Sequence, residues 1–529
     1  MEVEKIAIKL NRLSELVDIG QFDKALSGIE ILCRDVNTVE KKDNIFFRIM
    51  SNIASIFIDI GHMKPSEEST RKGLVILKKY KNEIKEQIGE SAYYYNLSNA
   101  KSNLIYEKNP FKHSFSTIEQ LVEIKADLWR SVKLLAVHDV EQSQPTYFVN
   151  LGNALKQQFR LVEALDCYDL VNSLDLDIPQ SWINRSETLV MLNQVSNTYS
   201  IQMLNQIKEG YEKALLSKEI PPQWRGYYKE QVGFYQGKIN EICKETSIEP
   251  DLHDKENTRQ EYNQLSNYRK FCLDNNLSLS EHGLYCSCSG SARDNLTIPT
   301  TGGVVGDFVI PMEMVLNRLK SEFSFARHLY FEYLSSEEDY ELLHDLCFSE
   351  LYNDELLGID VEKLRTSFRL CFGILDKIGI AICELFDLYP PNDKVYFQSF
   401  WRFDHKDRQE KFNNNKSPGL LALYSIATDL NDRKHGEWSF LKQLRNDLEH
   451  EFVVLHKSDT PSDIYNSYAF MKNIVFIREE EFAGHLKRLL QLTRSAIFSF
   501  VFTVRDKALN EKKEGAVYLS NSIFRQDYL

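Results

Sequence analysis

The sequence has no apolar run long enough to span a membrane. Its longest apolar stretches, "AIFSFVFTV" and "GIAI", are far shorter than the roughly 20 residues that a membrane helix needs. The N-terminus, "MEVEKIAIKLNRLSEL", is charged and amphipathic and lacks the features of a secretory signal peptide. We therefore expect a soluble, cytoplasmic protein without a membrane partner.

The sequence also has no excess of positive charge. It carries 77 acidic and 64 basic residues, a formal net charge of −13. Proteins that coat nucleic acid without sequence preference usually present a basic face. This balance disfavours broad electrostatic binding, but it is compatible with an enzyme that holds a few nucleotides in one local basic cleft.

Cysteine is scarce, with nine scattered residues in a chain of 529. An odd, scattered set suits reduced thiols in the cytoplasm. Cys286 and Cys288, with His282 and Cys272 nearby, are one candidate metal cluster, but structural zinc sites prefer two to four residues within a cysteine pair. The sequence favours free thiols in a loop and predicts neither a metal nor a cofactor.

Several common catalytic motifs are missing. "TGGVVGD" lacks the Gly-Lys-Ser/Thr of a phosphate loop, and "GSARDN" lacks the Asp-x-Asp that a minimal nucleotidyltransferase would place after it. His450-Glu451 is followed by His456, two residues too late for a helical zinc protease, and no Gly-x-Ser-x-Gly elbow is present. These four enzyme classes are therefore disfavoured.

Residues 1–245 resemble an array of tetratricopeptide (TPR) repeats. In "YFVNLGNALKQQFRLVEALDCYDLV" the repeat spacings are matched by Phe148, Leu151, Gly152, Ala164 and Tyr168. Trp182 follows Phe148 by 34 residues, the TPR period, and Gly20 and Gly61 indicate two earlier repeats at irregular distances. We expect a degenerate TPR-like helical domain, whose usual use is to bind a protein or peptide on its concave surface.

The rest of the chain divides into three parts. Residues 246–310 are rich in Gly, Ser, Thr and Pro, which predicts a loop-rich linker or insert without an assigned function. Residues 311–515 contain long amphipathic patterns with short connections, which predict a bundle of four or five helices. Residues 516–529 form a C-terminal tail. The expected fold class is all-α.

One helix of this bundle, over "EWSFLKQLRNDLEHEFVVLH", places polar residues where packing does not require them. Asn446 and His450 are neighbours four residues apart, and Arg445 lies at the edge of the apolar stripe. The stripe consists of Leu441, Leu444, Leu448 and Phe452. A simpler interpretation pairs Arg445 with Glu449 and leaves His450 as an ordinary surface residue.

Arg445-Asn446-Asp447-Leu448-Glu449-His450 resembles the signature of HEPN ribonucleases, which lies on the penultimate long helix of a four-helix bundle. "KSEFSFARHLYFEYL", "FRLCFGILDKIGI" and "LTRSAIF" are similar to one bacterial HEPN subfamily that carries TPR-type repeats at its N-terminus. The resemblance covers about residues 311–510. It implies a homodimer formed through the HEPN domain, in which two copies of the motif face each other. It also implies RNA cleavage without metal, giving 2′,3′-cyclic phosphate and 5′-hydroxyl ends.

The residue types suit that chemistry. A histidine such as His450 takes or gives a proton near neutral pH, and Arg445 offers a permanent charge to the phosphate oxygens. Asn446 is placed to orient the imidazole or to bind phosphate. Acidic residues surround the motif, so RNA binding is expected to depend on cations elsewhere, for which the candidates are Arg365, Arg369, Lys377 and Arg327.

We therefore expect a HEPN endoribonuclease with a TPR sensor or docking half, in the role of a toxin or an anti-phage defence effector. The expected partners are an RNA substrate, tRNA or mRNA, a second copy of the chain, and a protein or peptide trigger. The alternative is a non-enzymatic TPR regulator that uses the HEPN bundle for dimerisation. Dependence of RNA cleavage on His450 separates the two.

Overall fold

The computed structural model describes most of the chain as α-helix. The described residues are 3–38, 43–64, 66–105, 109–135, 144–174, 176–196, 200–246, 255–298, 308–335, 356–390, 394–402, 405–415, 417–457 and 469–511. They form two compact units, Met1–Gln158 and Phe159–Leu529. The predicted all-α class is confirmed, since the described strands are one short pair. The domain boundaries expected from the sequence stay predictions.

The described residues of the first unit form eight α-helices and one 3-10 turn, Pro110–Lys112. The α-helices are α1 (Val3–Asp18), α2 (Phe22–Asn37), α3 (Asn44–Met63), α4 (Glu67–Lys79), α5 (Lys81–Ile88), α6 (Glu90–Asn103), α7 (Phe115–Lys133) and α8 (Pro145–Gln157). Gly73 on α4 permits close packing on α3, because a Cβ there would lie 2.7 Å from the carbonyl oxygen of Ala54. This arrangement is consistent with helical repeats.

Two segments of similar sequence, "YYNLSNA" on α6 and "VNLGNA" on α8, contact each other in this unit. Asn150 on α8 donates to Asn99 Oδ1 on α6 at 2.9 Å and to the hydroxyl of Tyr95 at 3.0 Å. The rings of Tyr95 and Tyr147 stack with their centroids 3.9 Å apart. Asn150 therefore joins α8 to α6, two helices that are separated in the chain by α7.

Helix α3 is long and apolar enough to cross a membrane by length and composition alone, which differs from the expectation that no segment reaches that length. Its most apolar window has a mean hydropathy of 1.2, yet 56% of that window is buried inside the fold. Its buried side chains belong to the core of the first unit, which also includes residues of α1, α2, α4, α5 and α6. Packing in this core explains the composition of α3 without a membrane.

The second unit begins with four more repeat-type helices, α9 (Leu161–Ser173), α10 (Pro179–Ser196), α11 (Ile201–Leu216) and α12 (Pro222–Thr246). Gly210 on α11 approaches α10 so closely that a Cβ would lie 2.1 Å from Ser186 Oγ. Trp182, predicted from the 34-residue period, lies under Lys213, whose Nζ is 3.7 Å from the ring centroid. Successive helices here pack through small residues and aromatic contacts, as helical repeats do.

Residues 255–298, part of the predicted linker, are a packed segment in the structure. They form α13 (Lys255–Gln264), α14 (Asn267–Asp274) and two 3-10 turns, His282–Leu284 and Ser289–Ala292. Leu277, Leu279 and Ile298 are fully buried. This segment therefore contributes to the core of the second unit.

The bundle is formed by α15 (Val309–Ser335), α16 (Ile359–Phe386), α18 (Pro418–Asp429) and α20 (Glu479–Asn510), with shorter helices α17 (Lys406–Asn415) and α19 (Phe440–His450). Gly419 lies against α20, since a Cβ would be 2.6 Å from the carbonyl oxygen of Ser499. Pro418 occupies the first position of α18, where proline is favoured. A parallel pair, β1 (Phe452–His456) and β2 (Ile474–Arg478), aligns Phe452 with Ile474.

Candidate active site

Helix α19 carries the candidate site, and it is shorter than the sequence predicts. Leu441, Leu444 and Leu448 are buried as expected. The helix ends at His450, however, and "FVVLH" forms β1, so placing Phe452 on the apolar helical stripe was wrong; its side chain is 62% exposed. The motif therefore lies on the last two turns of a short helix.

Arg445 and Asn446 are half-buried, whereas His450 is exposed at the end of α19. Nη1 of Arg445 donates to Oδ1 of Asn446 at 3.3 Å. Glu449, the partner that the simpler interpretation gave to Arg445, lies instead 3.3 Å from Nε of Arg369. Among the described residues, the guanidinium of Arg445 is therefore hydrogen-bonded to a neutral amide. Glu449 does not compensate its positive charge.

Two predicted RNA-binding arginines fix the end of α19 from the neighbouring helix α16. Nη2 of Arg369 donates to the carbonyl oxygen of Leu448 at 2.7 Å, and Nη2 of Arg365 donates to that of Val453 at 2.6 Å. The last carbonyls of a helix lack partners within the helix. These arginines therefore position His450, because His450 lies in the chain between the two carbonyl groups that accept their hydrogen bonds. The side chain of Arg369 remains 35% exposed.

The other two predicted RNA contacts occupy different environments. Lys377 on α16 is 45% exposed and lies 2.6 Å from Glu322. Arg327 is only 1% exposed and donates to Asp294 at 2.6 and 3.0 Å and to the carbonyl oxygen of Leu277 at 2.7 Å. Its guanidinium holds residues 277–294 against α15, so Arg327 does not reach a surface where it would contact RNA.

Asp376 on α16 is a candidate that the sequence analysis missed. Burial raises the pKa of its carboxyl group, while the N–H of Phe397, 2.8 Å away, and the charge of Arg445 act in the opposite direction. Asp376 therefore lies close enough to Arg445 to be influenced by it. The sequence feature that could have identified Asp376 is a polar residue within the apolar segment "GILDKIGI". Asp376 lies seven residues, or about two helical turns, after Arg369.

The first unit contains an open cavity of about 600 Å³ between α2, α3 and α4. Charged residues of both signs occur in its lining, and Lys72 pairs with Glu30 at 2.6 Å and with Glu68 at 2.8 Å. The remaining lining residues include Cys33, Arg34, Asn37, Phe57, Arg71, Val75 and Ile76. A cavity with apolar walls and a charged rim has the dimensions of a ligand or peptide site.

Comparison with known protein families assigns the bundle. Residues 305–507 match the model of the LA2681-like HEPN family. No curated protein matches the chain significantly. The match includes α16, α19 and most of α20, and thus the whole Arg445–His450 motif. Residues 305–507 are therefore a HEPN domain similar to the LA2681-like family.

Proposed function

We propose that the protein is a metal-independent endoribonuclease of the HEPN type. His450 transfers a proton to or from the reacting ribose and leaving group, and Arg445 stabilises the negative charge that develops on the phosphorane. Asn446 orients the reacting groups or binds a phosphate oxygen. The ribose 2′-oxygen attacks phosphorus and the 5′-oxygen leaves with a proton, which gives a 2′,3′-cyclic phosphate and a 5′-hydroxyl.

The observation that carries this proposal is the arrangement at the end of α19. His450 is exposed, while its helix is anchored below by Leu444 and Leu448 and beside it by Arg369. Arg445 makes its hydrogen bond to Asn446 rather than an ion pair to Glu449. An accessible imidazole on a fixed helix, next to a guanidinium bonded to a neutral amide, suits phosphate chemistry.

We propose that RNA lies across the exposed face shared by α16 and α19. Arg369 and Lys377 are partly exposed there and would contact phosphates, with Arg365, 18% exposed, in a supporting position. Without RNA, these three side chains pair with carboxylates, which are Glu449 for Arg369, Glu322 for Lys377 and Glu362 for Arg365. Phosphate oxygens of the RNA would replace some of these carboxylates. Arg327 is not included because it is buried.

We also propose a homodimer formed through the HEPN domain. One imidazole cannot readily act as the acid and the base of a single cleavage step, and a two-fold axis would bring a second His450 to the same cleft. A two-fold interface is self-complementary and is the commonest arrangement of soluble homo-oligomers. Light scattering of the purified chain would give its mass in solution, and a monomer at assay concentration would contradict this part.

The repeat helices are proposed to act as a sensor or docking half. The cavity between α2, α3 and α4 is the candidate binding surface for a protein or peptide trigger. A sensor joined to an RNA-degrading domain suits a cytoplasmic toxin or a defence effector against phage. Binding of a trigger to this surface would then control cleavage of tRNA or mRNA.

The test uses purified full-length protein with total tRNA and a structured mRNA in EDTA, followed by mapping of product ends. Cleavage that ends in cyclic phosphate and is lost in His450→Ala and Arg445→Ala supports the proposal. His328→Ala is the matched control, because His328 is also a partly exposed helical histidine, 3.2 Å from Glu332 on α15. Cleavage that persists in His450→Ala would contradict the assignment of that residue.

The alternative of a non-enzymatic regulator is favoured by one observation, the cavity in the first unit. Two results together would make the regulator the better account. Neither RNA is cut by any form of the protein, and the repeat region binds a specific protein partner whose binding is lost when the cavity is disrupted. Substitution of Lys72, which bridges two glutamates in the lining, is suited to that test.

A further inference from the structure

The packed segment between α14 and α15 brings together three side chains that the sequence alone assigned to a loop. His282, Cys286 and Cys288 each offer one ligand atom, and the three atoms all lie within 4.8 Å of one another. The N–H of Cys286 donates to the carbonyl oxygen of His282 at 3.0 Å. This turn folds the chain back and brings Cys286 and Cys288 close to the ring of His282.

These distances suit a tetrahedral centre. Zinc bonds of roughly 2.3 Å to sulfur and 2.1 Å to nitrogen place neighbouring ligand atoms roughly 3.5–3.8 Å apart. Ligand atoms already within 4.8 Å need only small side-chain rotations to reach that separation. The single residue between the cysteines argued against zinc in the sequence, but the structure brings the ligand atoms of both cysteines and of His282 together.

Cys288 is the buried member of the cluster, and a hydroxyl group lies beside its sulfur. Sγ of Cys288 lies 3.4 Å from Oγ of Ser291, and the residue is 3% exposed. Thiolate is the form of cysteine that binds metals.

Contacts with neighbouring residues hold the cluster in place. Nδ1 of His282 lies 3.3 Å from the hydroxyl of Tyr285, and metal-bound histidines typically use their second nitrogen in a contact of this kind. The preceding residue, Glu281, pairs with Arg505 on α20. The cluster thus lies in a loop attached to the last helix of the HEPN domain.

We propose that His282, Cys286 and Cys288 form a three-ligand site for a soft divalent cation, Zn²⁺ in the first instance, with water as the fourth ligand. The cation holds the 282–291 loop in place and takes no part in RNA cleavage, since none of its ligands lies on α19. The proposal does not depend on the proposed nuclease function.

The test measures metal in full-length protein purified without chelator and then reloaded with Co²⁺. The expected result is about one zinc per chain, and a Co²⁺ form with strong near-ultraviolet absorption from thiolate ligands. Both signals should be lost in Cys288→Ser and reduced in His282→Ala. Cys243→Ser is the matched control, because Cys243 on α12 is a half-buried free thiol outside the cluster.

Three results would overturn the site. They are retention of zinc in Cys288→Ser, loss of zinc in Cys243→Ser with its fold intact, and a disulfide between Cys286 and Cys288 with no metal uptake after reduction. If the cluster variants fail to fold, the wild-type Co²⁺ spectrum decides, since absence of the thiolate absorption contradicts cysteine ligation.

Discussion

The guanidinium of Arg160, at the start of α9, donates to the buried carboxylate of Asp429 at the end of α18. Arg160 also binds both carboxylate oxygens of Glu163 at 2.7 Å. The carbonyl oxygen of Asp429 in turn accepts a hydrogen bond of 3.0 Å from the N–H of Trp438, two residues before α19. A repeat-type helix is therefore bonded to the segment that leads into the candidate active site.

Removing Asp429 should destabilise the second unit strongly. Asp429→Ala leaves the fully buried Arg160 with one fewer counter-charge, and breaking a buried ion pair typically costs about 3–5 kcal/mol. The urea midpoint of the full chain measures the effect. The control is Asp432→Ala, at an exposed position three residues later, and equal midpoints for the two variants would contradict the role of Asp429.

Arg488 on α20 provides a second connection between α9 and the start of α19. Its Nη2 donates to Glu163 at 2.6 Å, and its guanidinium lies 5.4 Å from the ring centroid of Trp438. Arg488→Met should release Trp438 and lower the RNA cleavage rate several-fold. Arg318→Met, at an exposed position on α15, is the control. Unchanged cleavage in Arg488→Met, when the wild type is active, would contradict this connection.

Arg369→Ala should loosen the end of α19, since it removes the hydrogen bond to the carbonyl oxygen of Leu448 and the pair with Glu449. A hydrogen bond from a charged donor contributes about 1.5–3 kcal/mol. Amide hydrogen exchange over residues 444–452 should become faster. Lys377→Ala is the comparison, because its half-exposed pair with Glu322 contributes about 0–1 kcal/mol. Equal exchange rates in both variants would rule out the anchoring role.

Acid should weaken the second unit through Glu163. Burial raises the pKa of this carboxyl group, but Arg160 and Arg488 more than offset that effect and lower the pKa to about 2. An unfolded glutamate has a pKa of about 4.3, so the stabilisation is present above that pH and is lost as pH falls toward 2.

Glu163→Gln should therefore melt at a lower temperature than the wild type at pH 7 and lose less stability between about pH 5 and 3. Thermal unfolding at several pH values measures both effects. Glu219→Gln, at an exposed position after α11, should follow the wild-type curve. A Glu163→Gln curve parallel to that of the wild type would be inconsistent with the lowered pKa.

The sequence predicted the bundle helices well because their apolar periodicity is local. Residues 311–515 were expected to form a bundle of helices, and α15, α16, α18 and α20 form that bundle. The sequence did not predict β1, because "FVVLH" continues an apolar pattern that a helix or a strand can bury. The partner that decides the matter, residues 474–478, is distant in the chain.

The candidate site was predicted in part, for a similar reason. Periodicity placed Arg445, Asn446 and His450 together on a helix, but it could not distinguish the exposed Lys377 from the buried Arg327, whose partner Asp294 lies 33 residues earlier. The position of Asp376 beside Arg445 also depends on tertiary packing. His282, Cys286 and Cys288 are close in the chain, but their spacing alone did not show that their ligand atoms lie together. Spacing rules written for local motifs do not describe such contacts.

The central claim is that His450 carries out proton transfer in RNA cleavage. The most direct test is the rate of cyclic-phosphate formation on RNA in EDTA for the wild type and for His450→Ala, with both folds verified. Removing a general acid or base typically lowers the rate by about 10²–10⁴-fold, and we expect a loss in that range. A His450→Ala rate within a few-fold of the wild type would contradict the account.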